Sequence, residues 1–262
     1  MTIDQRTLAR LAKELDEAEL ERRAIAQVTD EYPRMALAEA YSVQAELRRR
    51  KEARGAKTVG LKVDLTSWSK LKLSNNDTPV FGFLSDYMCR AEGTELDTSE
   101  LLAPRVEAEI CVVTKAALRG PNCHIGTVLA AIDFVVPAAE VVDSRYRDAN
   151  CDLQSLVADN TCASRFVIGG RMRDAATLDL RTLGIVLEKN GEIVATAAGA
   201  AVLGNPLAAV AKLVNHLGQW GEEVPAGTLV MTGGVSESIP VQAGDSMLLR
   251  FQHLGSVSLR FS

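Results

Sequence analysis

The sequence predicts an α+β fold in which helices come first and a large, closed or rolled β-sheet follows. Helical periodicity, with apolar residues every three or four positions, dominates the first 56 residues. From residue 57 onward the apolar period shortens towards two, and strand-like runs follow one another. Helices followed by strands favour α+β over alternating βαβ units. We therefore expect a helical segment, residues 1–56, packed on a larger domain, residues 57–262.

Two amphipathic helices are predicted in the N-terminal segment. Residues 4–28 place Leu8, Leu11 and Leu15 on one stripe among many charges. The second helix covers about residues 36–53 and ends before Gly55. The basic run at residues 48–51 suits the C-terminal end of a helix dipole, which explains it better than a phosphate-binding patch does.

The rest of the chain reads mainly as strands. Asn190-Gly191 lies between two of them and predicts a tight hairpin. Thr66 and Ser67 could cap a short helix that reaches Leu73. Further helices are predicted over residues 124–131 and 206–220. The predicted strands cover residues 58–65, 80–84, 105–115, 132–142, 157–168, 183–189, 192–198, 228–232, 246–252 and 256–261.

Composition limits the functional classes. The 262 residues are 47% hydrophobic and 24% charged, which is ordinary for a globular protein. A net charge of −5 and a pI near 5.4 disfavour a nucleic-acid platform. The sequence opens on a charged helix and holds no apolar run of about 18 residues, so we expect a cytoplasmic protein without membrane contact. Five cysteines without a C-x-x-C pair argue against a disulfide framework.

Three acids stand in otherwise apolar strands. Glu107 and Glu109 are two residues apart and therefore share one face of a strand, and Glu140 lies in a second apolar run. Buried carboxylates need a partner, and all-oxygen ligation suits Mg²⁺ or Mn²⁺, with Ca²⁺ possible. No His or Cys has the convergent spacing that zinc prefers. The alternative is that Glu107 and Glu109 lie on the solvated face of an edge strand.

Other polar residues have two interpretations each. Lys62 lies among apolar strand residues, where it either extends to the surface or faces a cavity and binds an anion. Thr66 and Ser67 could cap a helix or bind an anion. Thr232 and Gly233 lie in a segment that allows close backbone approach to a ligand or forms a tight turn. No nucleophile motif accompanies the histidines.

Together these segments resemble the hydratase/decarboxylase branch of the fumarylacetoacetate hydrolase superfamily. The resemblance extends from the first helix to the C-terminus and implies a catalytic domain with a mixed β-sheet roll. The segments that carry it are Gly60-Leu-Lys62, Leu65-Thr-Ser67, Arg105-Val-Glu-Ala-Glu109, Ala131-Ile-Asp-Phe134, Glu140-Val-Val-Asp-Ser-Arg-Tyr146, Val157-Ala-Asp-Asn160 and Met231-Thr-Gly-Gly234.

The resemblance implies an activity and a site. The expected reaction is metal-dependent decarboxylation of 2-oxo-3-hexenedioate to 2-hydroxypenta-2,4-dienoate and CO₂ in meta-cleavage catabolism of aromatic compounds. Hydration of 2-hydroxypenta-2,4-dienoate is the alternative, and a catalytically silent scaffold is a third. A homo-oligomer and a complex with the pathway hydratase are the expected protein partners. The implied site has metal ligands Glu107, Glu109 and Glu140, the catalytic cation Lys62, and substrate contacts from Thr66, Ser67, Leu71, Ser164, Thr232 and Gly233.

The sequence departs from the family pattern at Asp64, where glycine is usual, and in the loop 73–77. Asp64 and Lys62 share a strand face, so a carboxylate in the site would oppose a dianionic substrate, which leaves a bulge, a local turn or reduced activity as the alternatives. Arg145 and Arg165 are candidates for binding the distal substrate carboxylate, with structural ion pairs as the alternative.

Overall fold

The computed structural model describes residues 3–67, 78–148 and 151–262. None of the helices in these ranges is both long and apolar enough to cross a membrane. The helices are α1 (Gln5–Glu21), α2 (Val28–Glu31), α3 (Leu37–Ala53), α4 (Ile125–Ala131), α5 (Leu153–Ala158) and α6 (Pro206–Gly218).

Strands occupy most of the chain after α3. The first seven are β1 (Thr58–Asp64), β2 (Val80–Ser85), β3 (Cys89–Arg90), β4 (Glu95–Leu96), β5 (Arg105–Thr114), β6 (Leu118–Arg119) and β7 (Ile132–Val142). The remainder are β8 (Ala163–Ile168), β9 (Gly184–Lys189), β10 (Glu192–Ala198), β11 (Glu223–Val224), β12 (Leu229–Met231), β13 (Ile239–Pro240), β14 (Ser246–Phe251) and β15 (Gly255–Phe261).

The strands form a mixed sheet of eight strands in the order β2-β1-β12-β5-β7-β8-β3, with β13 also paired to β5. A second sheet has the order β10-β9-β14-β15-β4, and β11 pairs with β6. β1 pairs with β12 in parallel, whereas β5 and β7 are antiparallel. The predicted α+β class with a mixed, rolled sheet is confirmed.

β5 separates the main core from the polar face of the large sheet. Val106, Ala108 and Ile110 belong to the largest apolar cluster, which also contains residues of the second sheet. The alternate residues Glu107 and Glu109 therefore project from the opposite face. The apolar half of β5 holds the strand rigidly, and this fixes where its glutamates lie.

The N-terminal helices cover one end of the large sheet. Leu15 of α1 and Leu47 of α3 share an apolar cluster with Phe83 of β2 and Val157 of α5. α1 is shorter than predicted because Arg22 ends it in a left-handed conformation, with φ 53°. The division of the chain between residues 56 and 57 stays a prediction.

The predicted strand over residues 157–168 is wrong in its first half. Asp152 caps α5 by accepting a hydrogen bond from the Ser155 amide, and that helix continues to Ala158. β8 begins only at Ala163, after a left-handed turn. By contrast, the hairpin at Asn190-Gly191 is confirmed by the antiparallel pairing of β9 with β10.

Candidate active site

The three glutamates come together because β5 and β7 are neighbours. Glu107 lies directly opposite Glu140 in the antiparallel register, and Glu109 lies two residues along the same face of β5. One carboxylate oxygen from each residue lies within 4.8 Å of the others, and all three side chains are buried. This burial excludes the solvated edge strand.

In both Glu109 and Glu140, one carboxylate oxygen accepts a hydrogen bond and the other oxygen accepts none from the described residues. Glu109 Oε2 accepts a hydrogen bond of 2.7 Å from the Gly233 amide, and Glu140 Oε1 accepts one of 2.6 Å from Lys62. Within the described ranges, Glu109 Oε1 and Glu140 Oε2 are buried without a hydrogen-bond partner. Burial is costly for such atoms unless a cation binds them.

The electrostatics point the same way. Burial, followed by the charges of Glu140 and Glu107, raises the pKa of Glu109 well above its usual range. Burial also raises the pKa of Glu140, although the Lys62 ammonium opposes this. A divalent cation would relieve both carboxylates, so the donor set fits a hard metal ion with oxygen ligands.

Lys62 lies inside the site and does not extend to the surface. Its side chain is fully buried, and Nζ donates to Glu140 and, at 3.0 Å, to the Thr161 carbonyl oxygen. Burial disfavours the charged ammonium, but the neighbouring carboxylates, Glu140 first and then Asp64, outweigh it and raise the pKa of Lys62. The lysine is therefore a fixed cation at the edge of the glutamate cluster.

The segment after β12 closes another side of the site. A Cβ atom on Gly234 would lie 2.7 Å from Glu107 Oε2, so only glycine lets the backbone approach the cluster this closely. Gly233, with φ 110°, packs against the buried side chain of Thr66. The Thr232 hydroxyl donates to the Ile110 carbonyl oxygen at 2.7 Å. The glycines therefore allow the backbone after β12 to approach the glutamate carboxylates.

Asp64 remains on the same face as Lys62. The pairing of β1 with β2 is regular from Lys62 to Asp64, so no bulge turns the carboxylate away. A local turn follows, because Leu65 has φ 55° and its amide donates to Asp64 Oδ1 at 2.5 Å. The negative charge of Asp64 therefore acts on both Lys62 and Glu140.

The other predicted contacts have different positions. Ser67 is half-buried just after Thr66, and Leu71 lies outside the described residues. Ser164 lines a surface cavity with Glu19, Glu100 and Arg165, and neither Lys62 nor any of the three glutamates lines that cavity. Its substrate contact stays a prediction.

Both candidate arginines form ion pairs within the chain. Buried Arg145 pairs with Asp159 at 2.5 Å and also donates to backbone carbonyls of Asp143 and Ala163. Arg165 pairs with the exposed Glu100 at 3.3 Å. The structural ion pair is therefore the correct interpretation of Arg145, whose donors are used for folding.

Sequence reasoning missed the residues around Lys62 that belong to other elements. Gly82 lies opposite Lys62 on β2, and a Cβ there would be 3.1 Å from Lys62 Cγ. An isolated glycine in a strand pattern signals such an approach. No comparable feature of the sequence indicates the contact of Thr161 with Lys62.

The fold and the buried carboxylates define the class of protein: an α+β enzyme with a site suited to a divalent cation. The chain belongs to the fumarylacetoacetate hydrolase family, because the model of the fumarylacetoacetate (FAA) hydrolase C-terminal region matches residues 71–262. The family implied by the sequence motifs is thus confirmed.

Relatives of known activity cover the whole chain. A 4-oxalocrotonate decarboxylase of Pseudomonas sp. strain CF600 is 54% identical, covering 98% of this chain and 99% of the relative. The structure of 4-oxalocrotonate decarboxylase from Pseudomonas putida G7, complexed with magnesium and adipate, matches with a TM-score of 0.98. It is 52% identical and covers 100% of this chain and 99% of its own. A 2-hydroxyhexa-2,4-dienoate hydratase of Comamonas testosteroni is more distant, at 35% identity over 99% of each chain.

Proposed function

We propose that this chain is a metal-dependent carboxy-lyase that converts 2-oxo-3-hexenedioate to 2-hydroxypenta-2,4-dienoate and CO₂. The observation that carries the proposal is full-length identity of 52% and 54% to curated decarboxylases of this substrate. The buried glutamate cluster supports it independently, because a divalent cation bound there would stabilise the anion that develops in this reaction.

The substrate explains why such a site suffices. The bond to the distal carboxylate is vinylogous to that of a β-keto acid, so its electrons can move through the alkene onto the C2 oxygen. Charge therefore develops at one end of the molecule while CO₂ leaves from the other. Groups that stabilise charge at the C2 oxygen lower the barrier because they act more strongly in the transition state than in the ground state.

Glu107, Glu109 and Glu140 would hold the cation, which we propose is Mg²⁺ or Mn²⁺. When bound, the metal supplies Lewis-acid stabilisation of charge on the substrate oxygens. The magnesium and calcium complexes of the Pseudomonas putida G7 relative support a hard divalent ion. The Gly233 amide and Lys62 orient two of the carboxylates by holding one oxygen of each.

Lys62 would contribute a second fixed positive charge next to the reacting atoms. It is fully buried, so its field is not screened by solvent. Thr66, Ser67, Thr232 and Gly233 would line the substrate site, supported by the packing of Thr66 against Gly233, whose amide holds Glu109. Leu71 and Ser164 complete the proposed contacts.

The test is one assay with two substrates. Purified protein with Mg²⁺ or Mn²⁺ should release CO₂ from 2-oxo-3-hexenedioate and hydrate 2-hydroxypenta-2,4-dienoate slowly at most. The dicarboxylate should bind better than its monocarboxylate analogue, because a site built for a charged group is left unsatisfied without it. Rapid hydration without CO₂ release would instead identify a hydratase, and no turnover of either would identify a silent scaffold.

The proposal extends to partners and location. Self-association is supported by β10, an edge strand on which Ile193 and Val194 are exposed by 65% and 42%. A complex with the pathway hydratase is supported by chemistry, because the decarboxylation product is that enzyme's substrate. A cytoplasmic location without membrane or nucleic-acid contact accords with the net charge of −5. Sedimentation of the protein alone and mixed with the hydratase tests the assemblies.

A further inference from the structure

The turn between α5 and β8 has an unusual backbone. Asn160, Thr161 and Cys162 have φ values of 51°, 50° and 58°, three successive left-handed residues without a glycine. Asparagine tolerates this conformation, but a β-branched threonine is strained in it. The Thr161 hydroxyl is also buried without a hydrogen-bond partner among the described residues. Contacts elsewhere must therefore hold the turn in place.

The Asn160 side chain supplies two of those contacts, beside the backbone hydrogen bond from the Asp143 amide to the Cys162 carbonyl oxygen. Its Oδ1 accepts a hydrogen bond from the Phe83 amide and its Nδ2 donates to the Phe83 carbonyl oxygen, both at 2.9 Å. Phe83 belongs to β2, the edge strand of the large sheet beside β1. The side-chain amide thus occupies the place of a neighbouring strand and fixes the turn to the sheet.

This turn also holds the side chain of Lys62 in position. The Thr161 carbonyl oxygen accepts a hydrogen bond from Lys62 Nζ at 3.0 Å, in addition to the contact of the ammonium with Glu140 of β7. An ammonium group has three N–H donors, and the described residues use two of them, at Thr161 and Glu140. Gly82 makes the approach possible, since a Cβ there would lie 2.8 Å from Thr161 Oγ1 and 2.9 Å from Asn160 Oδ1.

We propose that Asn160 is a positioning residue that sets the direction of the Lys62 ammonium. With the turn in place, Lys62 is held both by Glu140 of β7 and by the Thr161 carbonyl, and it keeps its third donor for the substrate. Without it, the ammonium retains only the Glu140 contact and is drawn towards the carboxylates. The catalytic part of this inference depends on the function proposed above, whereas the geometric part does not.

The central experiment is a double-mutant cycle with the Mg²⁺-loaded enzyme. Asn160→Ala should lower kcat for CO₂ release by about 10- to 100-fold, the scale of misplacing a reacting group by about 1 Å, with little change in KM. Lys62→Ala should lose about 100-fold or more. The double variant should match Lys62→Ala within about two-fold, because Asn160 acts through the lysine.

Asn215 provides a matched control. Its side chain clamps the backbone of Cys123 in the same way, at 2.8 and 2.9 Å, on α6. Asn215→Ala should leave kcat near the wild-type value although it removes the same pair of hydrogen bonds. Asn160→Gly permits the left-handed backbone without strain, so it preserves folding while removing the clamp. It should lower kcat as Asn160→Ala does.

A second measurement does not depend on activity. Competitive acetylation with acetic anhydride, read by mass spectrometry, should label Lys62 more in the Asn160 variants than in wild type or Asn215→Ala. Unchanged Lys62 labelling would overturn the inference, as would equal kcat losses from Asn160→Ala and Asn215→Ala. Fully additive effects of Asn160→Ala and Lys62→Ala on kcat would also overturn the inference. Failure of wild type to release CO₂ would overturn the proposed function, and the labelling would still decide the positioning.

Discussion

At the residue scale, strand alternation correctly predicted that Glu107 and Glu109 share a face. Their convergence with Glu140 depends on the pairing of β5 with β7, which places Glu107 opposite Glu140. The contact of Thr161 with Lys62 could not be predicted, because Asp159-Asn160 can indicate a turn but not which distant side chain the turn will contact, and residues 157–162 contain no glycine to mark a left-handed backbone. The asparagine clamp is visible only in the folded protein.

The metal assignment predicts the effect of Glu109→Gln. The neutral amide removes one anionic donor from a site with three carboxylates, so Mg²⁺ affinity and Mg²⁺-dependent decarboxylation should both be lost. The fold should survive, because the substitution relieves repulsion with Glu140 and Glu107. Titration calorimetry with Mg²⁺ and Mn²⁺ checks the affinity, with Glu237→Gln, outside the glutamate cluster, as the control. Unchanged affinity would contradict the assignment.

Substitution of Asp64, at the same site, is predicted to strengthen substrate binding. Its carboxylate lies on the Lys62 face and adds negative charge where a dianionic substrate must bind. Asp64→Asn should therefore lower KM for 2-oxo-3-hexenedioate, and the effect should be smaller for the monocarboxylate analogue. Steady-state kinetics with both compounds measures this, and decreasing ionic strength should enlarge the difference. A KM that rises equally for both would mean that Asp64 serves mainly to orient Lys62.

At the element scale, the sequence located α3, β5 and β7 well, because α3 buries residues at helical spacing and β5 and β7 are long runs that are buried on both faces. The short strands β3, β4, β6, β11 and β13 escaped prediction because two residues carry no period. The packing of α1 against α3 also could not be predicted from the sequence pattern. Lys51, in the basic run assigned to a solvated helix end, is 1% exposed and pairs with Glu19 at 2.5 Å.

The pair of buried Lys51 with half-buried Glu19 predicts how stability depends on pH. Burial would raise the pKa of Glu19, but the charges of Lys51 and Arg145 and the hydrogen bonds from Lys51 and Tyr87 together outweigh it and hold the pKa at about 2, below the usual 4.5. A depressed carboxyl pKa stabilises the fold above pH 4.5, and this stability is lost as the pH falls towards about 2. Glu19→Gln should therefore reduce the free energy of unfolding at pH 7, by at most about 3 kcal/mol.

Urea unfolding at pH 7 and pH 3 measures the difference between wild type and Glu19→Gln. The difference should be smaller at pH 3, where part of the wild-type advantage has gone. Glu17→Gln is the matched control on the same helix, because its pair with Lys13 is solvent-exposed and 3.5 Å long. A pH-independent difference would assign the loss to packing.

At the scale of the whole molecule, composition and element order were enough to predict an α+β chain, but not its topology. β12 lies between β1 and β5, although more than a hundred residues separate it from either in sequence. The local sequence of a strand does not indicate which distant strand will pair with it. The site depends on this arrangement, because β12 leads directly to Gly233 and Gly234 beside the glutamates.

The last prediction concerns the helical segment of residues 1–56. Its Leu11, Leu15 and Leu47 share a core with Phe83 and Val157, so its removal exposes apolar surface on β2 and α5. Both elements flank the turn that holds Lys62. The fragment 57–262 should therefore unfold at lower temperature or aggregate, and any soluble fraction should be inactive.

Cutting the chain without removing the segment separates packing from covalent continuity. Gly55 is exposed with φ 98°, so a protease site inserted there should be cleavable in the folded protein. The nicked protein should keep its thermal midpoint and activity, because the helices remain bound through the shared core. A stable, active fragment 57–262 would instead make the helical segment dispensable, and the position of Lys62 would then depend on the sheet and the Asn160 turn alone.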